Sequence, residues 1–212
     1  MSLRVTFLVD GFNLYHSLRD AEKKTGVRCK WLDLRAFCQA HLQFFGRDAR
    51  LEEVYYFSAY ATHLAARNPH VVTRHQILVR AFEHTRVKVE MGHFKPKDVH
   101  CYLCKREIVR HEEKETDVAL AVRLVELVVT DRCDVAVVLT GDTDIAPGIR
   151  TALRLAPTKR VCVLAPYRRA NAELKQLAHQ VIKVRAETYA QHLFPGELTL
   201  ADGRKLTKPA TW

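Results

Sequence analysis

Five short apolar runs recur along the chain: "RVTFLV" (Arg4 to Val9), "VYYFSAY" (Val54 to Tyr60), "VKVEMG" (Val87 to Gly92), "DVAVVLT" (Asp134 to Thr140) and "RVCVLA" (Arg160 to Ala165). Their length and their β-branched and aromatic content read as buried strands. Between them lie segments with helical spacing: Asn13 to Lys24, Leu32 to Phe45, Pro69 to His84, Asp117 to Thr130, Ile145 to Leu155 and Ala170 to Ala178. Nearly continuous apolar strands alternating with helices predict a mainly parallel sheet covered on both faces, a three-layer α/β domain. Length agrees, since 212 residues can bury one good core. The domain is expected over 1–192, with an irregular tail over 193–212 packed on it. One insertion breaks the alternation, a predicted β-hairpin over about 93–114 whose tip is Cys101-x-x-Cys104.

The position of the acids within this pattern points to chemistry. In "FLVDGFNLY" Asp10 leaves the carboxyl end of a strand, and in "VAVVLTGDTDIAPGIR" Asp142 and Asp144 leave another in the same way. Ligands of open parallel sheets bind outside those ends, most often where the strand order reverses. In "EKETDVALAVRLVELVVTDR", Ala121, Leu124 and Val128 return to within about 40° of Asp117 on a helical wheel, so Asp117 begins the buried stripe of its helix. It can look over the same sheet edge. Clustered carboxylates repel one another unless a cation sits among them, and Mg²⁺ or Mn²⁺ prefers oxygen ligands. Such an ion can activate water and steady the charge of a phosphodiester under attack. Helix capping competes with this reading, because Asp and Asn are favoured caps and each of these residues precedes a helix. Capping accounts easily for Asn13 and Asp144, less well for Asp10 and Asp142, which follow their strands directly.

Charge narrows the partner. Lys and Arg number 34 against 24 Asp and Glu, a formal net charge of +10, which favours a polyanion, nucleic acid being the commonest; a merely basic enzyme is the competing account. Arg168 and Arg169 follow the fifth run and should rise near the acids. Lys95 and Lys97 follow Phe94, whose ring could stack a base. For any one of these residues an ordinary solvated surface is the competing account. Cys29, Cys38, Cys133 and Cys162 stand singly among apolar or helical neighbours, the usage of a reducing compartment. No signal core or membrane-length apolar run occurs, so a cytoplasmic location is expected.

Three stretches in this order, "FLVDGFNLYHSL", "EEKETDVALAVRLVEL" and "DVAVVLTGDTDIAPGIR", resemble the NYN domain, in particular its LabA-like branch, a relative of PIN-domain nucleases. The similarity continues through "KRVCVLAPYRRANAELKQLAH" and the closing "ADGRKLTKPATW", so it covers nearly the whole chain. It implies a PIN-like Rossmann-type fold with the first and fourth strands adjacent, and RNA cleavage, of single strands by this reading, that depends on Mg²⁺ or Mn²⁺. It carries acidic-site roles onto Asp10, Asp117, Asp142 and Asp144, with Asn13 as an orienting residue; all four acids are expected at the metal, Asp10 and Asp142 as direct ligands and Asp117 and Asp144 binding metal or positioning water. One position departs: where the branch often has a second aspartate on the middle helix, this chain has Arg123, about 120° from Asp117 on the wheel. That substitution motivates an alternative, an RNA-binding or regulatory module that keeps the fold without cleaving.

The hairpin resembles one that some members carry with the same Cys-x-x-Cys. Two such thiolates are half of a structural zinc site, with His93, His100 and His111 as available partners. A turn with two free thiols is the competing account. A zinc shared between two subunits, and with it a homodimer, stays open.

Overall fold

The computed structural model describes residues 2–100, 103 and 105–212. A seven-stranded sheet runs through the molecule in the order β4-β3-β2-β1-β5-β6-β7. Its strands are β1 (Leu3–Asp10), β2 (Ala49–Ala59), β3 (Lys88–His100), β4 (Glu107–Lys114), β5 (Val135–Leu139), β6 (Arg160–Ala165) and β7 (Gln180–Lys183). All neighbours are parallel except β3 and β4. β1 lies against β5 with Val5 opposite Val135, the expected first-to-fourth adjacency. From β1 the chain builds outward through β2 and β3, then crosses back to β5. The strand order therefore reverses between β1 and β5, which opens a crevice at their carboxyl ends.

Alternating residues of each strand feed two cores. Val5, Phe7 and Val9 pack under α1 (Gly11–Thr25), α2 (Leu34–Ala40), α3 (His70–His84) and α7 (Ala186–Ala190). Leu8, Ala136 and Val138 pack under α4 (Thr116–Val129), α5 (Ala146–Leu155) and α6 (Ala172–Leu177). Period-two burial on both faces is why the central strands read as apolar throughout.

The hairpin is an extension of the sheet. β3 pairs in parallel with β2 from Lys88 to Gly92, then changes partner and runs antiparallel to β4 from His93 to His100. The change falls at Gly92, where a Cβ would lie 2.5 Å from the Lys114 carbonyl oxygen. β4 then delivers the chain to α4 through Glu115 at φ 80°, and the Glu113 carboxylate accepts the Thr116 N–H at 3.0 Å. The hairpin thus aims the start of α4, and Asp117 with it, over the sheet's end. Cys101 and Cys104 lie outside the described residues. Of their expected histidine partners, His93 faces Glu115 at 3.2 Å and His111 stacks on His63 at 4.4 Å.

Two expectations are corrected. The helix expected over Leu32 to Phe45 is α2 followed by a separate 3-10 turn at Leu42–Phe44, divided at His41, whose ring bonds back to the Phe37 carbonyl at 2.7 Å. The tail, expected to be irregular, carries an antiparallel pair, β8 (Glu197–Thr199) with β9 (Lys205–Thr207). The Asp202-Gly203 turn makes this pairing cheap, with Gly203 at φ 80°. Leu206 from this hairpin enters the core. Among the described residues no helix is long and apolar enough to cross a membrane.

Candidate active site

β1 ends at Asp10, and α1 begins at the next residue. Asp10 is the N-cap of α1: its Oδ1 accepts the Asn13 N–H at 2.9 Å, while Oδ2 accepts from the Asn13 amide at 2.6 Å and from the Thr140 hydroxyl at 2.8 Å. Asp142 caps the 3-10 turn Thr143–Ile145, accepting the Asp144 N–H at 3.1 Å. The capping account is thereby reassigned. Asp10 and Asp142 are the caps, and Asn13 and Asp144 are the residues capped, because no loop separates β1 from its helix.

One bonded chain ties the two strand ends together. Thr140 donates to Asp10 and accepts the Asp142 N–H at 3.0 Å, and the Asn13 amide oxygen accepts the Gly141 N–H at 3.2 Å. Thr140 was not singled out from the sequence. Its signal was a hydroxyl closing the apolar run "DVAVVLT"; it is only 1% exposed, and a group so buried needs a partner.

From this frame Asp142 and Asp144 meet Asp117, and one carboxylate oxygen of each lies within 4.8 Å of the others. Asp10 stands outside that triplet but within electrostatic reach of it. Burial pushes the Asp117 carboxyl up to about 6, helped by the charges of Asp10, Glu113, Asp142 and Asp144. Burial also raises Asp10, against the pull of its three hydrogen bonds. Among the described residues no lysine or arginine forms an ion pair with any of the four. An oxygen-only donor set with no cationic partner fits a hard dication, and Asp117, Asp142 and Asp144 are the residues that would hold it.

A basin of about 560 Å³ opens beside the triplet, lined in part by Asn13, His16, Asp142, Arg168 and Arg169. Arg168 has φ 63°, a strained conformation for a side-chain-bearing residue, and its exposed guanidinium lies over the Tyr167 ring. Arg169 reaches Asp20 at 3.3 Å. Gly141 is where the two loops touch: a Cβ there would fall 2.0 Å from the Arg169 carbonyl oxygen. His16 is lowered by burial and by the neighbouring Arg169 and Arg19, which keeps its ring neutral at pH 7.

The hairpin residues are less available. Lys97 pairs with Glu112 at 2.7 Å, whereas Lys95 is exposed. The Phe94 ring, expected to be free for stacking, is half-buried edge-on to Phe12 at 5.7 Å and against His63 at 4.4 Å. Arg123 is held by Glu90 at 2.9 Å and Glu126 at 2.7 Å, with its guanidinium over Tyr55. Its charge is committed away from the triplet.

The family model of the NYN domain matches residues 4–185. The chain belongs to the NYN domain family. That family has the fold of PIN-like nucleases, and the mostly parallel seven-stranded sheet of this NYN domain agrees with it. A crystallised Vibrio parahaemolyticus protein of unknown function superposes with a TM-score of 0.54 at 13% identity, over 91% of this chain and 97% of that one. At that identity the likeness concerns fold alone. A curated relative from Pseudomonas putida, named 6-hydroxy-3-succinoylpyridine 3-monooxygenase HspA, is 29% identical over 99% of this chain and 75% of its own length.

Proposed function

We propose that this NYN domain is a metal-dependent endoribonuclease that hydrolyses single-stranded RNA. The observation that carries the reading is the meeting of Asp117, Asp142 and Asp144, from two separate elements, with no lysine or arginine among the described residues paired to them. Mg²⁺ or Mn²⁺ held there would supply Lewis-acid stabilisation of the phosphodiester and a lowered pKa for the attacking water. The protein's own groups do the rest. Asp10 and Asn13, bonded to each other and to Thr140 and Gly141, fix the angle at which the Asp142 loop leaves the sheet. Arg168 and Arg169 border the same basin and would take the phosphates on either side of the cleaved bond. Neutral His16 lines it without adding charge.

The test is incubation of labelled single-stranded RNA with Mn²⁺ and purified protein, beside Asp117→Asn and Asp142→Asn. Cleavage abolished in both variants, with folding intact, is the expected result. Cleavage that persists in both belongs to a contaminant and ends the proposal. Binding without cleavage under Mg²⁺ and Mn²⁺ favours the module reading that Arg123 motivates. A third role, on a small heteroaromatic substrate, is favoured by a second cavity, lined by Tyr56, Phe82, Phe94 and Trp212 and sharing Phe12 and His16 with the basin, and by the name of the Pseudomonas relative.

A further inference from the structure

A second cavity of about 410 Å³, within the range of small-molecule sites, shares Phe12 and His16 with the basin. It is bounded by α1, β2, the turn Thr62–Leu64 and α3, and Trp212 also lines it. Its walls are mainly apolar, with Tyr56, Phe82, Phe94 and Trp212 supplying ring faces and edges. Flat π-systems pack favourably on such surfaces, offset or edge to face.

The polar groups are few and unevenly partnered. Arg74 lines the cavity, and its contact is the Asn68 side-chain oxygen at 3.2 Å; among the described residues no carboxylate pairs with it. Lys30, by contrast, is matched by Glu22 at 2.9 Å. His63 lines the same space, and its Nδ1 is buried without a hydrogen-bond partner. Burial holds His75 down to about 4, so its ring is uncharged at neutral pH, and the Tyr56 hydroxyl lies 3.3 Å from its Nε2. The cavity therefore offers an apolar slot, one unneutralised guanidinium and a few neutral hydrogen-bonding atoms.

We infer that this cavity binds a planar aromatic ring bearing one anionic group, with the ring between the aromatic walls and the anion on Arg74. The inference goes beyond the nuclease reading and stands whether or not the acids cleave RNA. Two sources carry that chemistry, a nucleotide and a free aromatic carboxylic acid. A guanidinium recognises phosphate and carboxylate alike, through paired N–H donors.

Calorimetric titration with AMP and, separately, with 2-naphthoate distinguishes the sources. At least one is expected to bind one-to-one with a dissociation constant below about 1 mM. AMP alone identifies a nucleotide site, naphthoate alone a site for free aromatic acids. Arg74→Gln should weaken binding at least about tenfold, the loss of one charge-assisted contact. Ala61→Trp, at the cavity wall, should abolish it. Asp142→Asn should leave it unchanged, so that failure of the acid site and failure of this one are told apart. Neither probe binding to folded protein overturns the inference, as does binding unaltered in Arg74→Gln. Should Ala61→Trp fail to fold, as judged by circular dichroism, the Arg74→Gln comparison decides alone.

Discussion

The two ends of the same sheet treat aspartate in opposite ways. At the amino end Asp134 accepts from the Arg4 backbone N–H at 2.9 Å and from its guanidinium at 2.9 and 3.1 Å, and Lys159 approaches at 3.1 Å. Asp131 is bonded to the same arginine and lysine. Arg4 holds the Asp134 carboxyl well below the usual carboxylate range. At the carboxyl end Asp117, Asp142 and Asp144 face one another, and Asp117 is pushed up to about 6. The contrast separates acids that hold strands together from acids that leave charge unsatisfied, the commoner signature of a site. Both kinds of aspartate flank the same strand, so residue type alone does not separate them; the end of the strand at which each stands does.

The sharpest way to break the comparison is to remove charge from the carboxyl end. Asp142→Asn or Asp117→Asn should lower RNA cleavage by about 100-fold or more, since a Lewis-acid contact is worth several kcal/mol and about 1.4 kcal/mol is tenfold. Neither variant should melt earlier than the parent. A melting temperature several degrees lower would make these residues structural and erase the distinction. The reverse substitution, Arg4→Met at the amino end, should reduce stability in urea by about 1–2 kcal/mol, allowing for partial exposure of the pair. Cleavage per folded molecule should be unchanged.

Acidity gives a finer test. In metal-free protein Asp117 binds its proton more tightly folded than unfolded. Its ionisation therefore destabilises the fold as pH rises from about 4 to about 6, by about 1 kcal/mol after allowance for solvent screening. Asp134 acts in the opposite sense, contributing stability above its unfolded pKa that is lost as pH falls through and below about 4. Urea denaturation across pH 3 to 7 should show Asp117→Asn removing the upper trend and Asp134→Asn the lower one. A curve for Asp117→Asn that matches the parent between pH 4 and 6 would refute the assignment. The smallest effect concerns the basin: Arg168→Glu with Arg169→Glu should weaken RNA binding and lower its salt slope by about 0.7 for each phosphate contact removed. An unaltered slope takes both arginines out of the RNA path.

Much of the fold was legible because the β1, β5 and β6 runs are buried on both faces and cannot be disguised. β7, only Gln180–Lys183, went unread; four edge residues with two polar ends carry no pattern. The convergence of Asp117 with Asp142 was readable from a helical wheel and a strand end. The division of labour between Asp10 and Asp142 was not, since it depends on Thr140 and on α1 starting immediately after β1. The aromatic cavity left no linear trace. Its walls come from α1, β2, α3 and Trp212, residues that share no motif and meet only on folding.

Gly141 sets a scale for whatever enters the basin. The acid-bearing loop and the arginine-bearing loop touch backbone to backbone there, with no room for a methyl group between them. The span from the acids to Arg168 and Arg169 is thus cut like the notch of a gauge, before any ligand arrives. Under the proposed nuclease reading, an RNA strand would have to match that pitch with its own phosphates.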